Sequence, residues 1–196
     1  MMKTVALLAS LVASASAFVP AAPQQSSAST ALNAKADYVN DIGVTAPLGV
    51  FDPFAKLDKI DSTEFNRLRA LELKHGRVAM LGVVGYLTTY AGVRLPGLED
   101  VPCGWAAWEA LPGDVSIQMG ATWIFMEMAN RDQTGGNAEF VGDFRNGYLD
   151  FGWDSQTAEW KTKKRTIELN QGRAAQMGVL GLMVHDAMGN VQDILP

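Results

Sequence analysis

Two fourteen-residue segments concentrate the chemistry of this sequence. Glu72-Leu73-Lys74-His75-Gly76-Arg77-Val78-Ala79-Met80-Leu81-Gly82-Val83-Val84-Gly85 aligns with Glu168-Leu169-Asn170-Gln171-Gly172-Arg173-Ala174-Ala175-Gln176-Met177-Gly178-Val179-Leu180-Gly181 at an offset of 96, with eight of fourteen positions identical. Two unrelated apolar helices have no reason to keep both a carboxylate and a guanidinium in register. The segments therefore form an internal repeat, and related halves of this kind pack about a pseudo-twofold axis. Glu and Arg lie five residues apart in each copy, which turns them about 140° apart on a helix. Pairing along one helix works at spacings of three or four. Two crossed copies solve the problem: Glu72 reaches Arg173, and Glu168 reaches Arg77. A lone charge in hydrocarbon is costly, so all four are expected to be paired.

A carboxylate paired in this way still has lone pairs to offer. Arginine takes one oxygen and the other stays free as a ligand. His75 follows Glu72 by three residues, about 60° round on the same broad face. Gln171 holds the equivalent place after Glu168. Histidine, glutamine and glutamate share a lone pair on nitrogen or oxygen. An amide oxygen is a poor sole ligand for a transition metal and suits hard Mg²⁺. One axial ligand per site on a membrane helix points to a magnesium tetrapyrrole, whose ring supplies the other four. His185 follows Gln171 by fourteen residues, about 40° round and about 21 Å further along the same stripe. One helix therefore has room for two macrocycles. Ala79, Gly82 and Gly85 recur every three residues, as do Ala175, Gly178 and Gly181. Such stripes allow close backbone approach, or space for a flat ligand.

Three helices must position these groups. The first is expected over about 62–91, capped by Ser62 or Thr63. The second is expected over about 114–130 behind an Asp114 cap, and the third over about 160–188, starting near Ala158 or Lys161 and stopped by Gly189-Asn190. Leu95 to Gly113 reads as a loop bearing Trp, Pro and Gly, and 131–160 as a loop rich in Gly and Asp. No segment alternates with period two for long, so no sheet is expected. The fold class is an all-α membrane protein with three transmembrane helices, the first and third crossing. None of the three has about 18 uncharged apolar residues. Their charges nevertheless sit where a span tolerates them. Arg67, Arg69, Lys74 and Arg77 fall in the first half of one helix; Lys161, Lys163, Lys164, Arg165 and Arg173 fall in the first half of the other. The loop between the first two helices has Arg94 alone, with Glu99, Asp100 and Glu109. The asymmetry places the amino terminus on the basic side. Trp105, Trp108, Trp153 and Trp160 flank the spans as interfacial aromatics do.

The first 33 residues read separately. Lys3, an apolar run from Val5, and Ser14-Ala15-Ser16-Ala17 form a signal peptide over 1–17. A Ser/Ala/Pro/Gln tract without acid makes 18–33 a plastid transit peptide, leaving 34–196 as the working domain. Composition closes off other classes. The 196 residues are 48% apolar and 19% charged, with 19 glycines, which excludes a disordered polar chain. A net charge of -5 with no basic face argues against nucleic acid. Cys103 stands alone and only His75 and His185 are histidines, so disulfides, cysteine-rich metal sites and multi-histidine metal catalysis are excluded.

Glu72–Gly82 and Glu168–Gly178 resemble the paired signature helices of the light-harvesting chlorophyll-binding superfamily. The run Gly136-Asn137-Ala138-Glu139-Phe140-Val141-Gly142-Asp143-Phe144-Arg145-Asn146-Gly147, followed by Asp150-Phe151-Gly152-Trp153-Asp154, resembles more narrowly the fucoxanthin chlorophyll a/c proteins of diatoms and related algae. The leader resembles the bipartite presequence of nuclear-encoded proteins in such algae, with cleavage before Phe18. The resemblance covers nearly all of residues 40–190. It implies three spans in the plastid thylakoid and bound chlorophyll a, chlorophyll c and fucoxanthin, with diadinoxanthin as a further carotenoid. It implies that Glu72, His75, Glu168, Gln171 and His185 ligate chlorophyll magnesium, and that Arg77 and Arg173 complete the ion pairs. On the middle helix Gln118 and Glu127 are ligand candidates, nine residues apart and so on opposite faces; a polar helix contact is the alternative for both. The loops at Phe51-Asp52-Pro53 and Phe151-Gly152-Trp153-Asp154 would hold carotenoid ends. Partners implied are thylakoid lipids, other antenna subunits in a homo- or hetero-oligomer, and a photosystem core, with no nucleic acid. The function implied is an antenna, not an enzyme. The alternative is an energy-dissipating relative in which Glu99, Asp100 and Glu109 sense acid.

Overall fold

The computed structural model describes Tyr38 and residues 41–129, 138–145 and 150–195. The expected signal and transit segments, and Gly136, Asn137, Asn146 and Gly147 of the loop motif, lie outside them. The described elements are α1 (Ser62–Tyr90), a short α2 (Ala106–Ala110), α3 (Gly113–Ala129), α4 (Ala158–Met188) and a 3₁₀ turn (Val191–Asp193). Among the described residues there is no strand, only an isolated bridge between Thr45 and Gly49.

Asp61, not Ser62 or Thr63, stands at the N-cap of α1. Its carboxylate accepts from Thr63 Oγ1 at 2.5 Å and its backbone is extended, so Ser62 is already helical. Asp114 is no cap either; it lies in the first turn of α3, where its charge faces the positive end of the helix. α4 behaves as its sequence suggests. Thr157 Oγ1 accepts from the Trp160 N–H at 3.4 Å. Gly189 ends the helix at φ 71, and the Asn190 N–H returns to the His185 carbonyl at 3.1 Å.

The expected loop over 95–113 contains α2. Gly104, at φ 77, turns the chain into Ala-Ala-Trp-Glu-Ala, a run of good helix formers. Pro112 then forces Leu111 to extended geometry and ends it. Upstream, Arg94 folds the strap back by donating to the Val101 carbonyl at 2.8 Å and to the Thr89 carbonyl. The 3₁₀ turn beyond Gly189 is also an addition. Tyr90 Oη ties the end of the described chain to α1 by donating to the Leu195 carbonyl at 3.0 Å.

α1 and α4 cross and carry the packing, around a cluster of Ile42, Leu73 and Leu169. Five apolar side chains are buried among the described residues, whereas twenty-nine large apolar ones are exposed. The polypeptide buries a seam at the crossing and leaves the outer helix faces apolar. No described helix is long and apolar enough, by hydropathy, to cross a membrane.

Candidate functional site

The crossing point is Gly76 on Gly172. A Cβ on Gly76 would lie 2.9 Å from Gly172 Cα, and one on Gly172 would lie 3.0 Å from Gly76 Cα. Backbones this close admit only glycine. The glycine stripes one and two turns further on do something else. Gly82 meets only Val179, Gly178 only Val83, and a Cβ on Gly85 or Gly181 would meet nothing within 4 Å. Close approach belongs to Gly76 and Gly172; the stripes leave space.

From that crossing the two ion pairs follow. Arg173 Nε donates to Glu72 Oε1 at 2.7 Å, and Arg77 Nε donates to Glu168 Oε1 at 2.6 Å. Each arginine also reaches a loop. Arg173 Nη1 donates to the Gly43 carbonyl at 2.7 Å and Arg77 Nη1 to the Gly142 carbonyl at 2.9 Å. The two glycines are twofold mates: φ is 80 at Gly43 and 84 at Gly142. A Cβ on Gly43 would strike Leu169 Cδ2, and one on Gly142 would lie 2.8 Å from Leu73 Cδ1. The pseudo-symmetry therefore extends from the helices into the loops that precede them.

The two carboxylates are not equivalent. Glu168 makes its one direct ion pair among the described residues with Arg77, through Oε1, and Arg165, the repeat mate of Arg69, acts on its charge without a direct bond. Glu72 Oε2 accepts from Arg69 Nη1 at 2.8 Å, and Arg69 Nη2 reaches Asp41 Oδ2 at 2.7 Å. One oxygen free per glutamate was expected; this holds for Glu168, while on Glu72 both oxygens are engaged and only their remaining lone pairs are available. The buried Arg69 and its partner Asp41 were missed. Extending the repeat upstream would have found the first, because Arg69 and Arg165 keep the offset of 96. Arg165 has no acid at the place of Asp41; its guanidinium lies 4.2 Å from the centre of the Phe140 ring.

The other donors face outward. His75 is exposed and its Nδ1 lies 2.7 Å from the Leu71 carbonyl. A carbonyl only accepts, so Nδ1 carries the hydrogen and Nε2 presents a lone pair away from the helix. His185 repeats this device, with Nδ1 donating to Asn190 Oδ1 at 3.0 Å. Its neighbour Asp186 does not engage it. That carboxylate accepts from Tyr86 Oη at 2.9 Å and from the Trp105 N–H at 2.8 Å. Gln171 and Gln118 are exposed, and Glu127 is paired with Lys74 of α1. Single nitrogen and oxygen donors, spread over apolar helix faces rather than gathered into one cage, fit magnesium already held in a flat ring. Among the described residues no three His, Cys, Asp or Glu side chains gather to hold a bare ion.

Space for flat ligands exists beside them. An apolar cavity of about 760 Å³ opens between Gly82 and Gly85 of α1, Val179 and Leu182 of α4, and Met119 and Trp123 of α3. A second, of about 450 Å³, lies under the loop before α1, between Ile42, Phe51 and Phe65 and against Arg69 and Glu72. The corresponding loop before α4 is knotted by Arg145, which bonds Asp143, Glu139, Asp150 and Asp154. The Arg145 guanidinium holds the buried Asp143 carboxyl well below its usual range, to about 2. Trp153 Nε1 donates to Glu139 Oε2 at 2.8 Å, and Lys161 and Trp153 together lower the Glu139 carboxyl.

The family of chlorophyll A-B binding proteins matches residues 37–187. The chain belongs to that family. All nine candidate residues, both loops and the crossing fall inside the matched span. The chain is 50% identical over 193 residues to fucoxanthin-chlorophyll a-c binding protein A, chloroplastic, of Phaeodactylum tricornutum, covering 94% of this chain and 96% of the relative. It is 45% identical to the fucoxanthin-chlorophyll a-c binding protein, chloroplastic, of Trieres chinensis, covering 94% of each. Against fucoxanthin-chlorophyll a-c binding protein B, chloroplastic, of Macrocystis pyrifera, it is 42% identical over 167 residues, covering 80% and 76%.

Proposed function

We propose that this protein is a light-harvesting antenna of the plastid thylakoid that binds chlorophyll a, chlorophyll c and fucoxanthin and passes excitation toward photosystem cores. It makes and breaks no bond, so it needs no catalytic residue. The observation that carries the reading is the pairing of Glu168 with Arg77 beside outward lone pairs on His75, Gln171 and His185. Glu72, His75, Glu168, Gln171 and His185 are the magnesium ligands in this reading, with Gln118 and Glu127 as further donors on α3 and Arg77 and Arg173 as the cations that neutralise the glutamates. Bound pigments supply the absorption and the excited state. The chain supplies fixed positions: two glycines lock the crossing, and each arginine ties a helix to the opposite loop. Those loops, at Phe51-Asp52-Pro53 and Phe151-Gly152-Trp153-Asp154, hold carotenoid ends, diadinoxanthin among them.

The same pairing supports three spans, although no described helix qualifies by hydropathy alone. At about 1.5 Å per residue, the 29 residues of α1 and 31 of α4 exceed a hydrocarbon core of about 30 Å. The 17 described residues of α3 come close to it. Cross-pairing turns four mid-helix charges into two neutral units, and the exposed apolar faces meet lipid, pigment and neighbouring antenna subunits. The start of α1 lies on the basic, stromal side. A bipartite leader over residues 1–17 and 18–33 delivers the chain. Refolding the pigment-free protein with purified chlorophyll a, chlorophyll c and fucoxanthin tests the reading. Chlorophyll a emission excited through fucoxanthin is the expected outcome. Pigments that bind without transferring excitation would sink the antenna function, and failure to retain any pigment would sink the ligand set.

A further inference from the structure

α3 is held in an unusual way. No Cα of α3 comes within 8 Å of one in α1 or α4, whereas helices packed ridge into groove have axes about 8–10 Å apart and bring backbones that close. Its large side chains stay exposed, Ile117 at 72%, Phe125 at 71% and Met128 at 69%. The hydroxyls of Ser116 and Thr122 turn back to carbonyls of their own segment. Among the described residues, one side-chain polar contact joins α3 to another helix. That contact is the ion pair of Lys74 with Glu127.

Lys74 lies well inside α1, two residues past Glu72, and Glu127 lies two residues before the described end of α3. The side chains are 48% and 60% exposed on the polypeptide alone. In water such a pair contributes little. Between helices covered by lipid and pigment its attraction is stronger, and either charge alone is penalised. Both side chains are long, so together they bridge a gap that apolar residues could not span.

We propose that Lys74 and Glu127 form a strut that sets the stand-off of α3 from the crossed helices, and with it the spacing between pigments held on α1 and pigments held on α3. This rests on the antenna reading above. Lys74 is thus a positioning residue and binds no pigment itself. A row of pigments that must exchange excitation needs a fixed separation, and a salt bridge between otherwise unpacked helices supplies one.

The test uses the full chain refolded with its three pigments, carrying Cys103→Ser and spin labels at Asn66→Cys on α1 and Met128→Cys on α3. The parent should give one narrow distance distribution. Lys74→Arg should keep it. Lys74→Met should broaden it and lengthen its mean, and should lower excitation transfer to chlorophyll a at unchanged chlorophyll a content. Glu127→Gln, which keeps a donor oxygen but loses the charge, should broaden it as Lys74→Met does, and combining the two should broaden it no further than either alone. A distribution for Lys74→Met that superimposes on the parent overturns the strut while the antenna reading stands. A parent that retains no pigment overturns the antenna reading instead. Should Lys74→Met not refold, Glu127→Gln decides: a distribution that superimposes on the parent overturns the strut.

Discussion

Replacing Arg77 by leucine should do more damage than replacing Arg173, although the repeat makes the two positions formally equivalent. Glu168 has Arg77 as its only direct ion-pair partner among the described residues, with Arg165 acting on it without a direct bond. Loss of Arg77 leaves a carboxylate with no directly bonded cation in the helix interior, at up to about 3–5 kcal/mol. The lost bond to the Gly142 carbonyl adds about 1 kcal/mol. Glu72, in contrast, keeps Arg69 at 2.8 Å when Arg173 is removed. That change forfeits one charge-assisted bond, about 1.5–3 kcal/mol, and the bond to the Gly43 carbonyl, about 1 kcal/mol. At about 2–4 °C per kcal/mol for a domain of this size, Arg77→Leu should lower the midpoint by up to about 8–24 °C and Arg173→Leu by about 5–16 °C. The assay is thermal loss of pigment circular dichroism in refolded protein. Combining Arg77→Leu with Glu168→Gln should cost clearly less than the sum of the two single changes, because the second change removes the orphaned charge left by the first. Strict additivity would show that Arg77 and Glu168 are not coupled. An Arg173→Leu protein less stable than Arg77→Leu would refute the protection assigned to Arg69.

Three further outcomes are expected. His75→Leu should cost bound chlorophyll with helix content intact, while His75→Gln, which copies the donor of the repeat partner Gln171, should keep it; an unchanged pigment-to-protein ratio in His75→Leu would mean that Nε2 is no ligand. Gly172→Ala should destabilise by about 1–3 kcal/mol in the same melt, because its Cβ would sit 3.0 Å from Gly76 Cα; a midpoint equal to the parent's would mean that the two backbones do not touch there. The Asp143 carboxyl is depressed to about 2 in the folded loop against an ordinary 3.8, so its contribution is complete above about pH 4 and fades as pH falls toward about 2; pepsin cleavage at Phe140 or Phe144 should rise across that window, and Asp143→Asn should be cut already at its upper edge.

What the sequence reveals, and what it conceals, divides along one physical line. Glu72, Arg77, Glu168 and Arg173 are legible because a charge inside an apolar helix has few tolerable explanations, and a five-residue spacing excludes the local one. The crossing partners then follow from geometry alone. Gly76 and Gly172 are less legible: they sit among many glycines, and only the structure separates the pair that touches from the stripes that leave room. α2 is concealed because five residues set no period, and its limits depend on one positive-φ glycine and one proline. Asp61 displaces Ser62 as cap because adjacent capping residues compete, and the winner depends on where the preceding chain turns. Gly43 and Gly142 show the limit most plainly. They are symmetry mates in space, yet their offset is 99 where the helices keep 96. Loops tolerate insertions that helices do not, so a repeat search in strict register passes over them. The arginines restore the register in three dimensions. Each holds a glutamate of the other helix and the glycine carbonyl of the other helix's loop, and together these contacts set where the outward donors of both helices point.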